Sequence, residues 1–152
     1  MTDPGASERH TPKAESSSAD AREELIAGRQ RALDAERQDE HERATALIRD
    51  AVAAFREAGI APYALRARPW SGGNSIRTGL VGWYLTKDRS VGVDEDGNYY
   101  VLQVAGGLVS RLRGETPSPY PAPMVVGRGA RDGETVDLPD LLRTRLEDPV
   151  QP

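Results

Sequence analysis

Residues 80–104 constrain the fold of this chain most strongly, because they contain three strand-like segments separated by two turns. Residues 80–85 are rich in aliphatic and aromatic side chains, a composition that suits a pleated, half-buried surface. Residues 91–93 alternate valine and glycine at a period of two. The sequence Asp-Glu-Asp-Gly-Asn at 94–98 is typical of a hairpin turn, and residues 99–104 return as a third strand. This pattern predicts an antiparallel meander.

The predicted meander is apolar on both faces. Successive side chains of a strand point to opposite sides, so Trp83 opposes Tyr84, and Tyr99 opposes Tyr100. A sheet without a polar face requires cover on both sides. We expect a helix of the same chain to cover one face, and the C-terminal segment or a partner to cover the other.

Residues 20–58 predict a long helix, since they are rich in alanine, glutamate, arginine and leucine and contain no proline. Asp20 and Glu23 have the spacing of a capping box, and Gly59 provides a stop. The second half carries one apolar stripe, which we expect to pack on the sheet. Its members are Ala44, Leu47, Ile48, Ala51, Val52 and Phe55.

The first half of this helix lacks such a stripe. Its large apolar residues are Leu25, Ile26 and Leu33, and residues 34–43 are charged all round, which is typical of a solvated helix. Two interpretations remain for this half. It is either an arm that binds another helix or a short, frayed helix folded back on the chain.

The fold class that follows is α+β, with a long N-terminal helix on an antiparallel sheet of about four to six strands and a short C-terminal helix. Outside the meander, an edge strand is expected near residues 62–70, a short strand at 124–126 and the last helix at 139–147; residues 108–112 fit either a strand or a helical turn. The predicted organisation is a disordered tail (1–19), the long helix (20–59), a β-rich domain with the C-terminal helix (60–148) and a tail (149–152).

The residue inventory leaves little for catalysis or metal binding. There is no cysteine, and the two histidines are His10, in the predicted tail, and His41, on the charged helix, where we expect a solvated side chain. Asp94, Asp96 and Asn98 have the spacing that opens an EF-hand loop. However, Tyr99 stands at the glycine position and the bidentate acid is missing, so a hairpin turn is favoured. We expect no cofactor, no metal and no enzymatic activity.

Arginines and aromatic residues of the sheet form the candidate binding set. An exposed sheet face of this kind can hold single-stranded nucleic acid, but the charge-balanced domain and the net charge of −4 make nucleic acid an unfavoured ligand. The favoured interpretation places the aromatic residues in the core and the arginines at the edges. The set comprises Arg66, Arg68, Arg77, Trp83, Tyr84 and Tyr99.

These observations favour a small soluble interaction or accessory module. Its partner would be a protein, or a second copy, bound through the helical arm of Leu25, Ile26 and Leu33 or through an uncovered sheet face. A ligand- or nucleic-acid-binding module that uses the sheet is the alternative, and an enzyme ranks last. No apolar run reaches the length of a membrane span and the start lacks a secretory pattern, so we expect a cytoplasmic protein without a membrane partner.

Overall fold

The computed structural model describes residues 13–127 and 135–152 of the chain. The described residues form an α+β fold with a long N-terminal helix, a mostly antiparallel five-stranded sheet and a short C-terminal helix, as predicted. The chain divides into two compact units, residues 1–38 and residues 39–152. The elements in order are α1 (Lys13–Glu57), β1 (Tyr63–Pro69), β2 (Ile76–Tyr84), β3 (Val91–Asp94), β4 (Tyr99–Val101), β5 (Gln103–Val104), α2 (Leu108–Arg113), β6 (Val125–Val126), β7 (Val136–Asp137) and α3 (Leu138–Glu147).

Helix α1 begins at Lys13, seven residues before the predicted start at Asp20. Asp20 therefore lies within the helix and does not cap its start, and Ser18, also within the helix, donates its hydroxyl to the Glu15 carbonyl at 2.9 Å. The predicted disorder of residues 1–12 lies outside the described residues. The second half of α1 packs as its stripe predicts, with Ala44, Ile48, Val52 and Phe55 buried in the core.

The five-stranded sheet has the order β4-β3-β2-β1-β5. All its pairs are antiparallel except β1 with β5, which run parallel through Arg68–Gln103 and Pro69–Val104. The prediction that β1 is an edge strand is therefore wrong. It lies between β2 and β5, because a later segment of the chain returns to its free side.

The predicted third strand, residues 99–104, is broken at Leu102 into β4 and β5. Leu102 donates its N–H to the Ser90 carbonyl at 2.8 Å and accepts the Arg68 N–H at 2.9 Å. One segment thus continues the ladder of β3 on one side and that of β1 on the other. The sheet closes on itself, so its inner face is covered by the sheet and not by a separate segment or a partner.

Each face of the sheet packs on a hydrophobic core, as expected for strands that carry apolar residues on both faces. The inner core consists of Leu65, Ala67, Ile76, Tyr84, Tyr100, Leu102 and Val104. The outer core joins Trp83, Leu85, Val91, Val93 and Tyr99 to the stripe of α1 and to leucines of α3. Val150 of the C-terminal segment packs at the margin of the inner core.

The smaller elements complete the domain. Residues 108–112, which fitted either a strand or a helical turn, belong to helix α2. The predicted strand at 124–126 is present as β6, which pairs with β7 as a separate two-stranded ribbon. Helix α3 covers the range predicted for the last helix and buries Leu138, Leu141 and Leu142.

Candidate interaction surfaces

The three aromatic residues of the candidate binding set are core residues. Trp83, Tyr84 and Tyr99 are all at least 95% buried, so none of them presents a ring on which a base could stack. Trp83 belongs to the outer core and Tyr84 to the inner core, as expected for neighbours on a strand. Burial, followed by the charge of Tyr120, raises the pKa of Tyr99 to about 12.

The polar atoms of Trp83 and Tyr84 bond within the fold. Trp83 donates Nε1–H to the Ile60 carbonyl at 3.0 Å, where the chain leaves α1. The Tyr84 hydroxyl accepts the backbone N–H of Arg66 at 2.9 Å, inside the closed sheet. These contacts explain why a tryptophan and a tyrosine occupy core positions, since each polar group has a partner.

The arginines of the set, in contrast, are exposed, and two of them lie together. Arg66 on β1 stands directly opposite Arg77 on β2. Arg66 donates Nε–H and Nη2–H to the hydroxyl and carbonyl of Ser75, both at 2.7 Å. Arg77 donates Nη2–H to the Leu112 carbonyl at 3.2 Å. Arg68 lies further along β1, where it pairs with Gln103.

Arg66 and Arg77 line a surface groove of about 440 Å³, together with Arg113 at the end of α2. The lining includes the residues where β1 and β2 lose register, and Gly79, whose φ is +74°. Thr116 also belongs to the lining and donates its hydroxyl to the Thr78 carbonyl at 2.6 Å. Three arginines thus line this groove, which we call the arginine groove.

Helix α2 adjoins the arginine groove and turns its apolar side chains outward. Leu108, Val109 and Leu112 lie on one side of the helix at the spacing i, i+1, i+4, and they are 79%, 67% and 71% exposed. No residue of α2 is buried. Polar contacts hold the helix instead, because Arg111 donates to the Gly72 carbonyl at 3.3 Å. Sequence reasoning missed this surface, although the spacing of its three aliphatic residues was visible.

The first unit contains the three apolar residues that the sequence analysis assigned to the helical arm. Leu25, Ile26 and Leu33 of α1 are 75%, 64% and 42% exposed. No side chain between residues 15 and 38 is buried, and the helix continues through Gly28 without a break.

A further groove has a volume of about 540 Å³, and its lining includes Trp70, Tyr120, Val101 and Gln103. Both rings are more than half exposed. Its lining also includes Gly127.

The prediction of a solvated His41 is wrong. Its Nδ1 lies 2.9 Å from the Ala122 carbonyl, and the neighbouring Glu40 accepts the Met124 N–H at 3.1 Å. Through these contacts His41 and Glu40 hold the segment that leads into β6 against the helix. The sequence of the helix alone does not show that this distant segment packs there. Within residues 13–127 and 135–152, no three histidine, aspartate or glutamate side chains are grouped so that they could hold a metal ion.

Comparisons of the chain with protein-family models, with curated proteins and with solved structures found no match. In the part of the chain that the structure describes, no helix is both long enough and apolar enough to cross a membrane.

Proposed function

We propose that this protein works by association with other protein chains, as an interaction or accessory module, and that the first part of α1 is the associating element. The observation that carries the proposal is the exposure of Leu25, Ile26 and Leu33 on a helical segment that buries no side chain. Helices without tertiary packing are marginal in water. Burial of these residues against another helix would supply the missing stabilisation.

The charge distribution favours a second copy of the same chain as the occupant. Residues 15–24 carry four acidic and one basic side chain, whereas residues 29–37 carry three basic and two acidic ones. An antiparallel pair would place the acidic end of each helix beside the more basic part of its partner, and complementary charge favours that register.

The test substitutes two apolar residues of this face in the full-length protein. We expect the double variant Ile26→Glu, Leu33→Glu to sediment as a monomer, whereas the unmodified chain forms a dimer. Glutamate is a better helix former than isoleucine and is close to leucine, so the helix itself should persist. Analytical ultracentrifugation over a range of protein concentrations measures the outcome.

The matched control is the double variant Ala27→Glu, Ala35→Glu, which makes the same charge change on the other side of the helix. It should remain dimeric. The proposal fails if the unmodified chain stays monomeric at every concentration, or if the Ile26, Leu33 variant still dimerises.

Ligand binding through the sheet is the second candidate, and it rests on the arginine groove alone. The pairing of Arg66 with Arg77 favours an anionic group there. The aromatic half of the original binding set does not contribute, because those rings are buried.

A further inference from the structure

We propose that the arginine groove and the exposed side of α2 form one docking site for an acidic peptide segment of a partner protein. Carboxylates of the peptide would pair with Arg66, Arg77 and Arg113, and its aliphatic side chains would pack on α2. This site lies on the β-rich domain and does not depend on association through α1.

The charge of the groove is the first argument. Arg66 and Arg77 are direct cross-strand neighbours, an arrangement that is unfavourable for like charges. Hydrogen bonds to Ser75 and to the Leu112 carbonyl nevertheless hold both guanidinium groups in place. Among the residues that the structure describes, no acidic side chain forms an ion pair with these two or with Arg113.

Among the described residues that line the groove, Glu115 is the single acidic one, and one of its oxygens accepts the Gly106 N–H at 3.3 Å. The three arginines of the lining therefore outnumber its acidic residues. An incoming carboxylate would relieve the repulsion, and the planar fork of arginine matches carboxylate geometry.

The orientation of α2 is the second argument. A surface helix normally buries its apolar stripe, whereas α2 is attached through Arg111 and the Leu112 carbonyl with its aliphatic side chains in solvent. Arg113 ends this helix and lines the groove, so the apolar and basic surfaces are contiguous. A peptide that combines leucine with glutamate or aspartate complements both.

The same observations favour a peptide over nucleic acid. Leucine and valine side chains cannot stack on bases as aromatic rings do, and the aromatic residues of β2 and β4 are buried. The net charge of −4 also opposes the approach of a polyanion, whereas a short acidic peptide is affected less.

The test measures fluorescence anisotropy of a labelled synthetic peptide of alternating leucine and glutamate, titrated with the full-length protein. We expect saturable binding that weakens as salt is raised, since exposed ion pairs are screened. A peptide with lysine in place of glutamate, and a single-stranded oligothymidylate of the same length, should bind at least about tenfold more weakly.

Two variants locate the site. Arg113→Glu should weaken peptide binding about five- to tenfold, and Leu112→Ser should weaken it to a similar extent. Arg143→Glu and Leu146→Ser are the matched controls, because both change an exposed residue of the same type on α3, outside both proposed surfaces. They should leave peptide binding unchanged.

The proposal is overturned if the acidic peptide does not bind, or if the lysine peptide binds equally well. It is also overturned if Arg113→Glu and Leu112→Ser have no effect, or if the oligonucleotide binds more tightly than the peptide. Thermal unfolding of each variant verifies that the domain is intact, and the α1 variants show separately whether self-association persists.

Discussion

Asp94 organises the turn between β3 and β4 through both carboxylate oxygens. Oδ1 accepts the N–H groups of Asp96 and Asn98 at 3.0 and 2.9 Å, and Oδ2 accepts the Asn98 amide and the Tyr100 hydroxyl, both at 2.9 Å. Burial by itself raises the pKa of Asp94, but these hydrogen bonds outweigh it, so the pKa lies below the ordinary 3.8. The turn was predictable because its residues are neighbours in sequence. The hydrogen bond from the Tyr100 hydroxyl to Asp94 was not, because it depends on the position of the ring in the inner core.

We predict that Asp94→Ala lowers the free energy of unfolding by about 2–3 kcal/mol, because it leaves several donors without their acceptor. Chemical denaturation measures this change. Asp96→Ala is the control, since Asp96 is exposed and should change stability by less than about 0.5 kcal/mol. Equal effects of the two substitutions would contradict the role assigned to Asp94.

The contribution of Asp94 should depend on pH. Its pKa is lower in the folded than in the unfolded state, so its stabilisation is present above the ordinary value of 3.8. It is lost as the pH falls from there through the folded-state pKa. The stability difference between the unmodified protein and Asp94→Asn should therefore shrink below about pH 4. A difference that stays constant through this range would show that the charge of Asp94 is not stabilising.

At the scale of elements, the sheet closes through the break at Leu102, and Gly92 packs closely beside it. A Cβ at Gly92 would lie 3.1 Å from Leu102 Cδ1 and 3.3 Å from Leu65 Cδ1, so a side chain there would require both leucines to shift by a few tenths of an ångström. Tyr100, Leu102 and Val104 recur at every second position of residues 99–104, and a single strand was predicted for that reason. The switch of partners at Leu102 depends on Ser90 and Arg68, which lie far away in sequence.

The packing of α1 on the sheet yields a prediction at the same scale. Phe55 is 1% exposed, and its ring centroid lies 5.6 Å from that of Trp83. Phe55→Asp should cost at least about 3–5 kcal/mol, because it removes a large core side chain and buries an unpaired charge. Ala53→Asp introduces the same charge on the exposed side of α1 and should cost less than about 1 kcal/mol. Similar unfolding temperatures for the two variants would refute this packing.

At the scale of the whole molecule, the described chain contains one unit with two cores and one unit without a core. Residues 39–152 enclose both apolar clusters, whereas residues 15–38 bury no side chain. Local stability follows buried apolar contacts, so the two units should open with different free energies. The apolar stripe of α1, which begins at Ala44, lies wholly in the second unit.

Native-state hydrogen exchange provides the measurement. At protein concentrations too low for self-association, amides of residues 16–38 should exchange far faster than those of β2 and β3. Raising the concentration should slow exchange in the first unit if α1 pairs with a second copy. Strong protection of residues 16–38 in a monomer would instead show that this helix is stabilised within its own chain.

The sequence by itself determined the features that depend on near neighbours: the stripe of α1 from Ala44 to Phe55, the turn at 94–98, and a sheet that is apolar on both faces. Spacing along the chain encodes these features directly. Tertiary structure alone decided that the sheet covers its own inner face, that Arg66 meets Arg77, and that the aliphatic residues of α2 face solvent. These outcomes depend on pairing between residues distant in sequence, and the alternation that makes a strand does not specify which strand it will join.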